Sequence, residues 1–222
     1  MSSGKAVCVE AVLFDMDGTI VDSSIPVEKA WRVWAESHDV DFGQVIAVMH
    51  GRRAIETMEM LAPHLPQPET VERFLEKELL DFEGIIEIPG AGAFISALPA
   101  ARWGVVTSAV QGMARGRIRA AGLPDPRVLV SADMVGKGKP HPEGFLRAAE
   151  LLGVDPKKCV AFEDAPAGIE AARAAGMIVV GVETHYKRGE LGVERAIADF
   201  RSIVARACDG GRIEIDGIAI DW

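Results

Sequence analysis

From Trp103 to Val182 the chain alternates short apolar runs with longer amphipathic segments, and this alternation constrains the fold more than any other feature. Short apolar runs between turn residues predict strands, and apolar spacing of three to four residues predicts helices. The predicted strands cover 103–107, 128–131, 159–162 and 177–182, and the predicted helices 91–98, 110–121, 142–152 and 165–175. Strands that alternate with helices form parallel sheets covered on both faces. We therefore predict an α/β fold with a Rossmann-like, doubly wound parallel sheet.

An earlier apolar run, Val9 to Phe14, predicts the first strand of this sheet, and a helical block separates it from the others. Amphipathic spacing predicts the helices of this block over 26–38, 42–49, 54–61 and 69–82. A helical insert at this point would lie above the carboxyl end of the first strand, like a lid. We therefore predict a catalytic core formed by 1–22 and 89–222, and an inserted all-helical cap domain formed by 23–88 (the cap).

Composition restricts the class of protein. Of the 222 residues 49% are hydrophobic, but no stretch approaches 18 consecutive apolar residues, which predicts a globular chain without a membrane span. The first residues lack a secretory signal, and the three cysteines are far apart, so we expect reduced thiols and a cytoplasmic location. A net charge of −9 argues against a nucleic-acid partner. We expect a monomer or weak homodimer that binds a small phosphorylated substrate.

The motif Asp15-Met16-Asp17-Gly18-Thr19 directly follows the first predicted strand. Carboxylates rarely lie beside a core strand unless a cation or a reaction uses them. The alternative is an ordinary acidic turn, because Asp and Gly are common turn residues.

Further polar residues follow the other predicted strands: Thr107 and Ser108, Lys139, and the pair Glu163 and Asp164. Ligands of open parallel sheets bind beyond the carboxyl ends of the strands. Carboxylates that meet there would repel one another unless a cation neutralises them, and Mg²⁺ prefers such oxygen ligands. Beside this cation an Asp can attack phosphorus, and a second Asp can protonate the leaving oxygen and then activate water.

These motifs resemble those of the haloacid dehalogenase superfamily, in the branch of β-phosphoglucomutase, glycerol-3-phosphatases and small sugar phosphatases. The resemblance covers nearly the whole chain. Its motifs follow one another in this order: Leu13-Phe14-Asp15-Met16-Asp17-Gly18-Thr19-Ile20-Val21-Asp22-Ser23, Val105-Val106-Thr107-Ser108, Gly138-Lys139-Pro140 and Phe162-Glu163-Asp164-Ala165-Pro166-Ala167-Gly168.

The resemblance implies a role for each motif residue. Asp15 would be the nucleophile and Asp17 the general acid/base. Mg²⁺ would be held by Asp15, the Asp17 backbone carbonyl, Asp164 and Glu163. The remaining residues would bind the transferring phosphoryl group: Thr107, Ser108 and Lys139.

Two features select among the reactions of the superfamily. Asp17 favours phosphate chemistry over dehalogenation, and the segment 49–53 lacks the lysine that phosphonate cleavage uses. The mutase branch carries an arginine where this chain has Ala54, whereas Gly51-Arg52-Arg53 is similar to the phosphatases. We therefore favour a Mg²⁺-dependent phosphatase of a small sugar, hexitol or glycerol phosphate. A β-phosphoglucomutase-like phosphomutase remains the alternative, and a catalytically silent phosphate-binding module is the third possibility.

Three cap residues, Arg53, His50 and Arg52, are predicted to face the substrate, the alternative being an exposed basic helix start. His185 has no partner recognisable in the sequence and is interpreted as a surface or packing residue. Near the end of the chain, 212–220 alternates around Asp216-Gly217, which predicts a β-hairpin.

Overall fold

The computed structural model describes residues 6–65, 67–78 and 81–220. Its strands are β1 (Val7–Val9), β2 (Ala11–Phe14), β3 (Val21–Asp22), β4 (Ile86–Glu87), β5 (Trp103–Val106), β6 (Val128–Val130), β7 (Cys159–Glu163), β8 (Ile178–Val182), β9 (Arg195–Ile197), β10 (Val204–Cys208), β11 (Arg212–Asp216) and β12 (Ala219–Ile220). Its α-helices are α1 (Ser24–Ser37), α2 (Phe42–Met49), α3 (Ala54–Leu61), α4 (Gln67–Glu78), α5 (Ala91–Ser96), α6 (Gln111–Ala120), α7 (Glu143–Leu152), α8 (Pro166–Ala174) and α9 (Arg188–Leu191). Short 3₁₀ helices cover Ala132–Met134, Pro156–Lys158, Phe200–Ser202 and Asp209–Gly211.

The main sheet has seven strands in the order β12-β9-β8-β7-β2-β5-β6. All of its pairings are parallel except that of the edge strand β12 with β9. The central strands are apolar, apart from Glu163 at the carboxyl end of β7, because helices cover both faces of the sheet. On one face Phe14 stacks on Phe162 with 5.5 Å between the ring centroids. The predicted α/β fold with a doubly wound parallel sheet is confirmed.

The first strand of the parallel sheet, predicted over 9–14, is confirmed as β2, but its predicted start is wrong because Val9 belongs to β1 in a different sheet. In β1, Val7 and Val9 are buried and Cys8 is exposed, whereas every residue of β2 is buried. Between them the amide N–H of Glu10 donates to the Lys158 carbonyl at 2.7 Å. Strand β1 therefore has one solvent-facing side, as expected in a small antiparallel sheet, and β2 belongs to the centre of the main sheet.

The predicted C-terminal hairpin is also wrong. Strand β11 pairs antiparallel with β1 and β10 in a three-stranded sheet, whereas β12 pairs with β9 in the main sheet. Gly217, which has φ +88°, turns the chain between the two sheets. A Cβ at this position would lie 2.3 Å from the Ser202 carbonyl oxygen, so the backbone passes too close for a side chain. The Asp-Gly turn thus connects two sheets instead of two paired strands.

Helices α1–α4 lie between β3 and β4, which pair antiparallel with Val21 opposite Glu87. These helices bury their own apolar cluster, in which Trp31 packs on Phe74 at 4.5 Å between ring centroids. The chain therefore enters and leaves the helical segment through one two-stranded ribbon. The domain boundaries given above remain a prediction. Among the helices that the structure describes, none combines the length and apolar character that a membrane crossing requires.

Candidate active site

The candidate active site lies at the carboxyl end of the main sheet. Asp15 follows β2, Thr107 follows β5, and Glu163 ends β7 with Asp164 next in the chain. Strand β2 lies between β7 and β5, and the Asp15 amide N–H donates to the Phe162 carbonyl at 2.9 Å. Because parallel neighbours end at the same edge of the sheet, residues far apart in sequence meet there.

A tight turn after Asp15 carries the second aspartate. The Met16 carbonyl accepts the amide N–H groups of Thr19, Ile20 and Val21 at 3.2, 2.9 and 3.0 Å. Gly18 has φ +81°, and a Cβ there would lie 2.2 Å from the Asp164 carboxylate. Glycine is therefore needed both for the left-handed backbone and for the close approach of the two loops.

The loop after β7 is fitted to its two carboxylates. The Thr19 hydroxyl donates to Asp164 at 3.0 Å, and the Ala165 amide N–H donates to Glu163 at 3.1 Å. A Cβ at Gly168 would lie 1.6 Å from a Glu163 carboxylate oxygen, so α8 can approach Glu163 only with glycine at this position. These contacts explain the glutamate, the aspartate and the glycine of the Glu-Asp-Ala-Pro-Ala-Gly motif.

Lys139, from the loop that precedes α7, lies within the acidic cluster of Asp15, Glu163 and Asp164. Its Nζ donates to Asp15 Oδ1, and to Glu163 Oε1 at 2.6 Å. All four side chains are buried. A single ammonium group therefore faces two carboxylates directly, with a third close by.

Burial shifts the protonation of this cluster. It raises the pKa of Asp15 to about 7, with Lys139 opposing the rise and Glu163 adding to it. Burial likewise raises the pKa of Glu163 and of Asp164. Burial alone would lower the pKa of Lys139, but its ion pairs with Asp15 and Glu163 outweigh this and raise it. Three carboxyl groups thus share one ammonium group, and a further cation beside them would favour their ionised forms.

The donor set fits a hard divalent cation. Asp15, Glu163 and Asp164 can each offer one oxygen such that the three atoms lie within 4.8 Å of one another. Carboxylate oxygens are the ligands that Mg²⁺ and Ca²⁺ prefer in proteins. This cluster could therefore hold a metal ion.

Asp17 lies beside the cluster and is held at both carboxylate oxygens. The Ser23 hydroxyl donates to Oδ1 at 2.5 Å, and Arg117 Nη1, from α6, donates to Oδ2 at 3.0 Å. Arg117 Nη2 donates to Glu78 Oε1, at the end of α4, at 3.1 Å. Burial raises the pKa of Glu78 to about 7, while Arg117 opposes this. Sequence reasoning missed Arg117 and Glu78, since neither lies in a motif and only the fold brings them to Asp17.

His185 is not a mere surface or packing residue, which corrects the interpretation from sequence. Its Nδ1 lies 2.8 Å from Asp164 Oδ2, and its ring stacks on His50 with 4.1 Å between centroids. Burial would lower the pKa of His185, but its bond to Asp164 raises it overall. Burial lowers the pKa of His50 to about 4, and His185 adds to this. Hence the segment after β8 brings an imidazole to the acidic cluster.

An open crevice (the crevice) lies between the acidic cluster and helices α1–α4. Its floor includes Asp15, Asp17 and Thr107. Besides aliphatic residues, its opposite wall carries basic, acidic and aromatic side chains: His50, Arg52, Glu28, Glu78, Trp31 and Phe74. The crevice therefore offers hydrogen-bond donors near the cluster and carboxylate acceptors farther along its wall.

The remaining predicted site residues make contacts of their own. The Ser108 hydroxyl donates to the Gly51 carbonyl at 2.9 Å and so joins the core to the cap. Thr107 Oγ1 accepts the Ala109 amide N–H at 3.1 Å. Arg53 Nε donates to Glu56 Oε1 at 2.8 Å, and Arg53 lines a neighbouring pocket beside Lys139 instead of the crevice.

Comparison with known proteins gives one consistent result. A family model described as haloacid dehalogenase-like hydrolase matches residues 9–176. The chain is 42% identical over 175 residues to hexitol phosphatase A of Escherichia coli strain K12, a match that covers 77% of this chain and 81% of the relative. It is 38% identical over 191 residues to glycerol-1-phosphate phosphohydrolase 2 of Saccharomyces cerevisiae, covering 80% and 76%.

A solved structure described as a hydrolase from Pseudomonas syringae has the same architecture. It superposes with a TM-score of 0.76 at 27% identity, and the match covers 86% of this chain and 94% of that one.

Proposed function

The chain belongs to the haloacid dehalogenase-like hydrolases, and we propose that it is a Mg²⁺-dependent phosphatase that hydrolyses a small sugar, hexitol or glycerol phosphate through an aspartyl-phosphate. The enzyme class predicted from sequence, a phosphoric monoester hydrolase, is confirmed by this membership together with the hexitol and glycerol phosphatase relatives. The observation that carries the proposal is the buried cluster of Asp15, Lys139, Glu163 and Asp164, from which Asp15 reaches the floor of the open crevice. Relatives that act on hexitol and glycerol phosphates support the substrate class.

In the first half-reaction Asp15 attacks phosphorus, and the bond between phosphorus and the leaving oxygen breaks. Asp17 gives its proton to that oxygen, so the alcohol leaves neutral. Lys139, buried and held by Asp15 and Glu163, donates hydrogen bonds to the phosphoryl oxygens. The Thr107 hydroxyl, at the end of β5, is a second donor.

In the second half-reaction Asp17, now a carboxylate, takes a proton from water as the water oxygen attacks phosphorus. The bond between phosphorus and Asp15 breaks, which frees the nucleophile and inorganic phosphate. Asp15, Glu163 and Asp164 would hold Mg²⁺, which when bound supplies positive charge that stabilises the phosphoryl oxygens.

The crevice favours a phosphatase over the phosphomutase alternative. A mutase must accommodate a second phosphate away from the nucleophile, which calls for free cationic groups along the wall. The wall of the crevice carries Glu28 and Glu78, and of the two arginines that line the crevice Arg117 is already bound to two carboxylates, which leaves Arg52. Carboxylates accept hydrogen bonds from hydroxyl groups but repel phosphate. A polyol or sugar chain therefore fits this wall better than a second phosphoryl group.

We expect Mg²⁺-dependent release of inorganic phosphate from a panel of sugar, hexitol, glycerol and nucleotide monophosphates, with the highest kcat/KM on a hexitol, sugar or glycerol ester. A generic aryl phosphate should also be hydrolysed, more slowly. Transfer of phosphate between positions of a sugar, without release, would favour the mutase. Absence of any turnover would favour the silent binding module.

A second test asks whether residues of the cap contact the preferred substrate. Arg52 lines the crevice, whereas the Arg53 guanidinium is bound to Glu56. We expect Arg52→Ala to lower kcat/KM on the preferred ester by roughly tenfold to a hundredfold, since a charge-assisted contact contributes about 1.5–3 kcal/mol. Acetyl phosphate, which is too small to reach the cap, should be affected little.

Arg53→Ala is the matched control, with the same change one position along the chain. Its effect on the preferred ester should be the smaller of the two. A larger loss of kcat/KM with Arg53→Ala than with Arg52→Ala would mean that Arg53 contacts the substrate. If Arg52→Ala lowered kcat/KM equally on acetyl phosphate and on the preferred ester, Arg52 would serve folding instead.

A further inference from the structure

We propose that Arg117 is a positioning residue that holds the general acid/base Asp17, and that Glu78 of α4 anchors the other arm of the same guanidinium. This inference rests on the proposed function, because it concerns the proton-transfer step of that reaction. It adds to the site a residue from α6 and a residue from the cap, both outside the sequence motifs.

The contacts of Arg117 use its two terminal nitrogens separately. Nη1 donates to Asp17 Oδ2 at 3.0 Å and Nη2 donates to Glu78 Oε1 at 3.1 Å. The Ser23 hydroxyl holds the other Asp17 oxygen at 2.5 Å. Asp17 is consequently restrained from two directions, and its side chain faces the crevice with limited freedom to rotate.

Burial of the Arg117 guanidinium has an unfavourable desolvation free energy. Arg117 is only 3% exposed, and its Nε has no hydrogen-bond partner among the residues that the structure describes. Burying an ion pair brings a large desolvation cost, and apolar side chains often stabilise a core as well or better. A guanidinium in this place is therefore better explained by what it does for Asp17 than by stability alone.

The shape of the guanidinium matters as well as its charge. Arginine presents its donors in a rigid planar fork, whereas the lysine ammonium is a compact point charge on a flexible stem. A lysine at 117 would keep a positive charge beside Asp17 and Glu78, but it would not hold both carboxylates in one fixed geometry. Arg117→Lys thus separates orientation from charge.

If Arg117 orients Asp17, its loss will matter most when the leaving oxygen needs a proton. Phenyl phosphate and 4-nitrophenyl phosphate have nearly the same shape, but nitrophenolate is much the weaker base and leaves readily without protonation. For both esters kcat/KM reports the steps up to formation of the aspartyl-phosphate. The ratio of the two kcat/KM values therefore measures how much proton donation by Asp17 contributes to that step.

We expect Arg117→Lys to lower kcat/KM on phenyl phosphate by about tenfold or more, and on 4-nitrophenyl phosphate by less than about threefold. Glu78→Ala should shift the same ratio in the same direction by a smaller factor. The double variant should lose no more than Arg117→Lys alone, since both changes act through one guanidinium.

Arg115→Lys is the matched control, because Arg115 lies on the same helix and pairs with the exposed Asp125 at 2.5 Å. It should leave both substrates unchanged. Equal losses on both esters with Arg117→Lys would overturn the positioning role, and losses that multiply in the double variant would overturn the link through Glu78. If the wild-type enzyme hydrolyses neither ester in Mg²⁺, the proposed function fails instead.

Discussion

Asp15→Asn is expected to abolish turnover of every phosphate ester, by at least about a thousandfold, while the protein stays folded. An amide nitrogen or oxygen cannot replace the carboxylate that attacks phosphorus, so no aspartyl-phosphate forms. The fold should persist because Asn has nearly the same volume, and because Lys139 keeps Glu163 as a partner at 2.6 Å. Steady-state phosphate release measures the first expectation, and thermal unfolding followed by circular dichroism measures the second.

Acid quenching with radiolabelled substrate tests the covalent step directly. The wild-type protein should retain label that hydroxylamine removes, and Asp15→Asn should retain none. Asp125→Asn, the same change at an exposed position on the surface, should behave like the wild type. If Asp15→Asn kept a tenth or more of the wild-type activity, the aspartyl-phosphate mechanism would be wrong.

Removal of the divalent cation is expected to have a comparably large effect. A chelator should inactivate the enzyme, because the buried carboxylates of Asp15, Glu163 and Asp164 would then face the phosphoryl group with Lys139 as their neighbouring cation. Added Mg²⁺ should restore activity. Ca²⁺ should inhibit, because its bonds of about 2.3–2.6 Å and higher coordination number would misplace the nucleophile.

Asp164→Ala should raise the Mg²⁺ concentration needed for half-maximal activity more than Glu163→Ala does. Both Glu163 oxygens are held by donors of the chain itself, Lys139 and the Ala165 amide. Within the described part of the chain, Asp164 has no ammonium partner of this kind: one of its oxygens accepts from the neutral Thr19 hydroxyl, and the other faces the partly exposed His185 ring. The rise in melting temperature on adding Mg²⁺ gives a readout independent of turnover. Equal activity with and without chelator would mean that Mg²⁺ takes no part in the reaction.

The central sheet was predictable from sequence because its strands are apolar on both faces. Runs such as Cys159–Glu163 show neither the alternation of a half-buried strand nor the spacing of a helix. The turn residues around them and the helices between them nevertheless identify them as buried strands of a parallel sheet. The failures are local. Strand β1 and the C-terminal strands are short, so their sequences do not specify their partners. A single Asp-Gly turn serves a hairpin and a change of sheet equally well, and only the neighbouring Ser202 backbone decides between them.

The residues of the site likewise divide into those that the sequence predicted and those that it did not. Asp15, Thr107, Lys139 and Glu163 sit directly after or near strands, and the topology alone brings them together. Arg117, Glu78 and His185 come from a helix, the end of a cap helix and a loop. A buried arginine on a helix is indistinguishable in sequence from an exposed one, since burial depends on the residues that cover it.

The ribbon of β3 and β4 has a consequence for how such a chain can diversify. Asp22 lies directly opposite Ile86, so the two ends of the intervening segment are only about 5 Å apart. A tight turn of a few residues could join them without displacing either strand. The helical segment is therefore inserted at a single point of the fold. Evolution, or a protein engineer, can lengthen, shorten or exchange this segment as a cassette, provided that the replacement keeps the groups that hold Asp17 and Arg117, which are Ser23 and Glu78.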